Sequence, residues 1–115
     1  MDLHTHRLNQ DIALAGQLTA ADMALAAQAG FRSVVNNRPD FEAGPDQPTS
    51  AAIEAAARTA GLEYAYLPVA PGFQTPEEAQ AMAALMARLP KPVLAFCRSG
   101  NRSGRLYAMA RALGL

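Results

Sequence analysis

The sequence predicts an α/β fold in three layers, with a mostly parallel sheet of about four or five strands flanked by helices. Short apolar segments alternate with amphipathic ones along the 115 residues, and glycine or proline lies at most junctions. This alternation is typical of right-handed β-α-β units around one core. No repeat or linker divides the chain, so we expect a single catalytic domain, residues 1–115.

The first half of the chain is predicted to contain two helices. Residues 8–15 indicate one or two short strands. A helix follows over residues 19–30, because a threonine and an aspartate three positions later can form a capping box, and a glycine ends it. Residues 31–35 indicate a buried strand. A polar turn and a loop with glycine and proline then lead to a second helix over residues 50–60.

The second half repeats the alternation. Residues 64–69 indicate a strand, and a helix begins after Thr75, because proline lies in its first turn and Glu78 completes a capping box. The continuous apolar run at residues 93–96 is typical of a central parallel strand. We expect the last helix to begin at about Ser103.

Charge is divided unevenly along the chain. Residues 1–78 contain ten acidic residues and four arginines, a net charge of −6, whereas residues 79–115 contain five arginines, one lysine and no acid, a net charge of +6. A positive region of this kind favours an anionic substrate. The basic residues are few and not interleaved with aromatic ones, so we expect no nucleic-acid partner.

Other classes of function are not expected from the composition. No apolar stretch approaches the roughly 20 residues that span a membrane, and the first residues lack the pattern of a secretion signal. The single cysteine excludes an internal disulfide, which favours a reducing, cytoplasmic location. With one cysteine and two histidines, we expect no metal site to form within the chain, and no cofactor is predicted.

The loop between the last strand and the last helix is the candidate active site. It contains a cysteine, two arginines and small polar residues: Cys97, Arg98, Ser99, Gly100, Asn101, Arg102 and Ser103. Several amides and the positive end of the helix dipole converge at such a position. A Cys97 thiolate would be stabilised there and nucleophilic, and Arg102 could bind an oxyanion. Ser103 could cap the helix or donate to the thiolate. The alternative is an inert, buried Cys97.

This loop resembles the active-site loop of rhodanese-type sulfurtransferases. It is also similar, one residue short, to the Cys-x5-Arg loop of protein tyrosine and dual-specificity phosphatases. With residues 31–39 and 48–61, the chain resembles a small bacterial family whose members have been called both phosphatase-like and sulfurtransferase, namely the phosphatase-like domain of beta-lactamase-hydrolase-like proteins. The resemblance implies a tyrosine-phosphatase-like fold.

Two reactions of a Cys97 thiolate are open, and sulfur transfer is the preferred one. Only four residues separate Cys97 from Arg102, Phe96 stands where phosphatases generally carry histidine, and no aspartate lies between Asp46 and Cys97 to act as general acid. The substrate would be a small anion or a persulfide. Since no second thiol is present, the sulfur acceptor must be an external thiol. The alternatives are a phosphatase with a phosphocysteine intermediate and a non-catalytic anion-binding module.

The residues that follow the strand predicted at 31–35 are secondary candidates for substrate contact. Asn37 and Arg38, beside Asn36, leave a strand at the same edge of the sheet and could contact the substrate. They could equally form a turn in which Arg38 pairs with Asp40. Phe73 is expected to anchor in the core, with the rim of the pocket as the alternative. The sequence does not reveal the oligomeric state.

Overall fold

The computed structural model describes residues 3–114, and in them five strands form one mixed sheet flanked by four helices. The strands are β1 (His6–Arg7), β2 (Ile12–Ala15), β3 (Ser33–Asn36), β4 (Glu63–Tyr66) and β5 (Val93–Phe96). The helices are α1 (Ala20–Gln28), α2 (Ser50–Thr59), α3 (Pro76–Arg88) and α4 (Asn101–Ala112). The α/β prediction is confirmed.

The strand order is β1-β2-β5-β3-β4. The pair of β1 and β2 is antiparallel, whereas β2 with β5, β5 with β3, and β3 with β4 pair in parallel. The apolar strand β5 therefore lies in the middle, between β2 and β3, and all four of its residues are buried. The carboxyl ends of the four parallel strands meet at one edge, where ligands bind in sheets of this kind.

Each face of the sheet has its own core. Alternate residues of β5 point to opposite faces, so that Val93 and Ala95 pack with α3 and α4, whereas Leu94 and Phe96 pack with α1 and α2. The first face also contains Met82 and Met86 of α3 and Leu89, which follows that helix. This packing fixes the direction in which β5 delivers the residues that follow it.

The capping signals are confirmed at two helices. The Thr19 and Asp22 capping box begins α1, and the Thr75 and Glu78 capping box begins α3. Strands are shorter or shifted: β3 is Ser33–Asn36 and β4 ends at Tyr66. The last helix begins at Asn101 rather than Ser103, because Gly100 adopts the left-handed conformation at the N-cap.

Phe73 does not anchor in the core. Its side chain is 78% exposed in the loop between β4 and α3. The apolar core on that side is already filled by residues of α3, α4 and the strands. In residues 3–114 no helix is long and apolar enough to cross a membrane.

The buried Leu106 side chain should be important for the stability of α4. It is fully buried in the core between the sheet and helices α3 and α4. Leu106→Ala should therefore lower the free energy of unfolding by about 3 kcal/mol, because buried apolar surface is lost and a cavity is left. Leu113→Ala, at a half-exposed leucine near the end of the same helix, should change it by less than about 0.5 kcal/mol. Urea denaturation measures both, and equal effects would contradict this packing.

Candidate active site

The predicted loop leaves the central strand between two neighbouring strand ends. The Cys97 amide donates to the carbonyl of Ala15 at 3.4 Å, and the Asn37 amide donates to the carbonyl of Phe96 at 2.8 Å. Gly16 lies against the loop, because a Cβ there would come within 3.0 Å of the Arg98 carbonyl oxygen. The loop is therefore held from both sides by the ends of β2 and β3.

Cys97 is fully buried at the base of this loop. The amide of Gly100, whose φ of 94° favours glycine, donates to the Cys97 sulfur at 3.0 Å. Burial raises the pKa of the Cys97 thiol, but hydrogen bonds from the backbone amides of Ser103, Ser99, Gly100 and Arg102 outweigh it, so that the pKa lies below its ordinary value. These amides stabilise the thiolate, as predicted from the sequence.

Ser103 stabilises the thiolate through its backbone and not as a helix cap. It lies inside α4, its amide faces the Cys97 sulfur, and its hydroxyl donates to Asn37 Oδ1 at 2.7 Å. Asn37 Nδ2 in turn donates to the Leu67 carbonyl at 2.9 Å. Asn37 is fully buried and its side chain is bonded within the fold, so the substrate contact expected for it stays a prediction. Its amide ties α4 to the ends of β3 and β4.

Arg102 is held by a carboxylate from a distant loop. Its Nη1 and Nη2 atoms donate to the two carboxylate oxygens of Glu42, each at 2.8 Å, and Nη1 also donates to the Val69 carbonyl at 3.0 Å. This bidentate pair uses the edge of the guanidinium formed by Nη1 and Nη2. The other edge, with Nε and Nη2, is the one available to bind an oxyanion.

The same guanidinium is within reach of the nucleophile. Hydrogen bonding to Glu42 raises the pKa of Arg102 above its ordinary value, although burial lowers it, and interactions with Glu42 and the Cys97 sulfur raise it further. Arg102 is only 6% exposed. The structure thus brings together the two residues that the sequence predicts to be catalytic.

Arg38 is part of the same cluster through Glu42. Its Nε donates to Glu42 Oε1 at 3.0 Å and its Nη1 donates to Gln17 Oε1 at 3.0 Å. The predicted pair between Arg38 and Asp40 is therefore wrong, because Asp40 instead accepts the amide of Ser50. The guanidinium of Arg38 is buried and paired with Glu42, so it helps to position that carboxylate, and its direct contact with substrate stays a prediction.

Glu42 is the site residue that sequence reasoning missed. It lies in an exposed loop, but its side chain is only 20% exposed. Hydrogen bonding to Arg102 lowers the pKa of Glu42 to about 2 against the opposing effect of burial, and Arg38 lowers it further. The sequence did contain one indication of such a residue. Arg38 and Arg102 were both predicted at the same edge of the sheet, and two arginines that become buried need a carboxylate partner.

Three other residues of the predicted loop lie on the protein surface. Arg98, Ser99 and Asn101 are exposed, and the Asn101 amide donates to Ser99 Oγ at 3.3 Å. Their part in anion binding stays a prediction. Arg105 is exposed, and its Nη1 donates to the Gly72 carbonyl at 2.7 Å.

Among the described residues, the cluster of Arg38, Glu42, Cys97 and Arg102 contains no protonated carboxyl group. Glu42 is ionised because its pKa is about 2. Glu78 accepts the Thr75 amide at 2.8 Å in the capping box of α3. In the part of the chain that the structure describes, no three His, Cys, Asp or Glu side chains are grouped so that they could hold a metal ion.

Comparison with known sequences assigns the family. Residues 2–114 match the family described as beta-lactamase hydrolase-like protein, phosphatase-like domain. The chain belongs to this family. It is 36% identical over 107 residues to the beta-lactamase hydrolase-like protein of Agrobacterium fabrum, and 38% identical over 106 residues to that of Xylella fastidiosa. These matches cover 93% and 92% of the chain but only 25% and 24% of the relatives, so the chain spans about a quarter of their length.

Solved structures agree with this assignment. A candidate phosphatase of Neisseria meningitidis has 30% sequence identity and a TM-score of 0.81, over 95% of this chain and 77% of that one. TpbA of P. aeruginosa, solved in complex with pTyr, has 19% identity and a TM-score of 0.70, over 97% and 64%. Tk-PTP in its active form has 20% identity and a TM-score of 0.75, over 96% and 75%. The last two show the fold alone, which is the predicted tyrosine-phosphatase-like fold.

These findings change the order of the two predicted reactions. Family membership and the structural neighbours support a cysteine-based, phosphatase-like hydrolase. They support the phosphatase alternative and give no support to sulfur transfer, which the sequence alone favoured. The short loop, Phe96 before the cysteine and the missing aspartate led to that preference.

The ion pairs of Glu42 should make a stability contribution that depends on pH. Because the pKa of Glu42 falls from 4.5 to about 2 on folding, its contribution is present above about pH 4.5 and is lost as the pH falls toward 2. We expect Glu42→Gln to be less stable than the native chain by about 1 to 2 kcal/mol near neutral pH, after allowance for solvent screening. The difference should shrink below about pH 4.5.

Urea denaturation across this pH range measures that difference. Glu54→Gln is the matched control, because Glu54 pairs with Arg58 on an exposed surface and should change stability by less than about 0.5 kcal/mol at any pH. A difference for Glu42→Gln that stays constant as the pH falls would contradict the assigned ionisation.

Proposed function

We propose that the chain is a cysteine-dependent phosphatase that acts on small anions with a good leaving group. One observation carries the proposal: the buried Cys97 sulfur accepts loop amides that lower its pKa, and the Arg102 guanidinium is held within reach of it. A nucleophile and an oxyanion-binding group at one point are what attack on phosphorus requires. Membership of a phosphatase-like family supports this proposal.

The residues have separate parts in the reaction. The Cys97 thiolate forms a bond to phosphorus while the bond from phosphorus to the leaving oxygen breaks, and that oxygen departs with the electron pair. The loop amides and the free edge of Arg102 bind the phosphoryl oxygens in the transition state. Water then attacks the phosphocysteine, which releases phosphate and restores the thiolate.

The absence of a proton donor in the cluster defines the substrate class. Glu42 is ionised and already accepts hydrogen bonds from two arginines, so the departing oxygen is not protonated by it. General acid catalysis typically contributes about 10² to 10⁴ in rate, and a site without it acts best on substrates whose leaving group is stable as an anion. Aryl and acyl phosphates meet that condition.

Sulfur transfer is the second candidate, and the same missing proton donor favours it. The Cys97 thiolate would attack the outer sulfur of a sulfane donor such as thiosulfate, the S–S bond would break, and sulfite would leave with the electron pair. No acid is needed for that leaving group. Because the chain has one cysteine, the Cys97 persulfide would pass its sulfur to an external thiol.

The reactivity of the Cys97 thiol also bears on the compartment in which the reaction takes place. We place the reaction in a reducing compartment such as the cytoplasm, because a nucleophilic thiol of lowered pKa is readily oxidised elsewhere. We also propose that residues 1–115 act as one catalytic domain, since the catalytic pair and the side chains that hold it all lie within the described residues.

Dependence of the rate on the leaving group tests the phosphatase proposal. We expect hydrolysis of para-nitrophenyl phosphate to exceed that of phenyl phosphate by more than about tenfold in kcat/KM, because no acid compensates for the poorer leaving group. Cys97→Ser should abolish both activities, and Arg102→Lys should lower kcat by about 10² or more because the fork that binds the oxyanion is lost.

A parallel assay separates the two reactions. The protein is incubated with thiosulfate, and the mass of Cys97 peptides is compared with that from the Cys97→Ser variant. Phosphate release without a sulfur adduct supports the phosphatase. A Cys97 persulfide, with thiocyanate formed when cyanide is added and no phosphate release from any aryl or acyl phosphate, would replace the phosphatase by the sulfurtransferase.

A further inference from the structure

Two exposed phenylalanine side chains lie on the loops that hold Arg102. Phe41 is 62% exposed and directly precedes Glu42, whose carboxylate binds the Arg102 guanidinium. Phe73 is 78% exposed and lies four residues after Val69, whose carbonyl accepts from the same guanidinium. The two loops follow β3 and β4, so they leave the sheet at the edge where Cys97 follows β5. Both rings therefore lie on loops that leave the sheet at the same edge as the catalytic loop.

The backbone of Phe41 is unfavourable for the residue that occupies it. Its φ is 63°, and every other residue of positive φ in the described part of the chain is glycine. A non-glycine residue in this conformation is strained by roughly 1 kcal/mol. The turn is needed because it directs the carboxylate of Glu42 toward two arginines, and glycine would make the same turn without strain.

Packing of the Phe41 ring within the fold does not compensate for this backbone strain. With most of its surface exposed, it gains little from burial, and it is absent from both core clusters of the sheet. An exposed aromatic ring at a strained position beside a catalytic cluster points to a contact with a molecule outside the chain.

We propose that Phe41 and Phe73 form an apolar rim that binds the aryl or other hydrocarbon group of the substrate. Cys97 is fully buried, so the reactive anion must enter the loop while the rest of the substrate stays outside it. We place that remainder at the loops after β3 and β4, because both loops hold Arg102. The rim deepens the proposed function, because it rests on an anion binding at Cys97 and names the group attached to that anion. Aromatic rings are well suited to such a contact.

Protection of Cys97 from alkylation tests the rim without turnover. The rate of reaction with iodoacetamide is measured at increasing concentrations of phenylphosphonate or methylphosphonate, which share the anion and differ in the phenyl group. We expect phenylphosphonate to halve the rate at a concentration about fivefold lower or more. In Phe41→Gly and in Phe73→Ala the advantage of phenylphosphonate should fall to about twofold or less.

The control variant is Leu113→Ala, which removes an exposed apolar side chain at the far end of α4 and should keep the full preference. Phe41→Gly also relieves the backbone strain, so its thermal stability should not fall below that of the native chain, which separates loss of the ring from misfolding. Equal protection by the two phosphonates in the native chain, or an unchanged preference in both phenylalanine variants, would overturn the rim. The turnover assays of the proposed function are independent of this result, since a preference for phenylphosphonate without phosphate release would leave the rim in place and remove the phosphatase.

Discussion

A buried thiolate needs positive partners that cannot move away, and this requirement determines the rest of the site. Loop amides and the Arg102 guanidinium face Cys97. Two buried arginines and one carboxylate, Arg38, Arg102 and Glu42, carry a net charge of +1, which the thiolate balances. Removal of any one of these charges would leave a buried charge unpaired, which is far more costly than the loss of an exposed ion pair. The cluster and the nucleophile are therefore best understood as one electrostatic unit.

The fold supplies the rigidity that this unit requires. Cys97 follows the central strand, which is fully buried and packed on both faces. The loop that follows is braced by Gly16 on one side and by the buried contact between Asn37 and Ser103 on the other. Preorganised amides of this kind stabilise charge without reorganisation during the reaction. Arg102 is fixed by partners from two further loops, Glu42 after β3 and Val69 after β4, so that four strand ends contribute to one site.

Sequence reasoning succeeded where the determinants are local. The strand, the glycine turn and the helix that position Cys97 and Arg102 are adjacent in the chain, and the apolar run of β5 and the capping box of α3 were predicted for the same reason. Glu42 was missed because it lies 60 residues from Arg102 in a loop without periodicity. The arginines indicate that a carboxylate is needed, but nothing in the sequence distinguishes Glu42 from its acidic neighbours Asp40 and Asp46. Phe73 was wrongly placed because apolarity predicts burial on average, whereas a ring beside a site can be exposed for binding.

The family and the structural neighbours favour phosphatase chemistry, while the short loop and the missing proton donor keep sulfur transfer as the second reaction. Both begin with the same ionised sulfur, so its ionisation is the central claim. The most direct test is an ultraviolet absorbance titration of the thiolate, with the Cys97→Ser variant subtracted to remove the tyrosine signal. Since the chain has one cysteine, the difference reports Cys97 alone. We expect a midpoint clearly below the value of about 8.5 for a free cysteine, and a midpoint at or above that value would contradict the account.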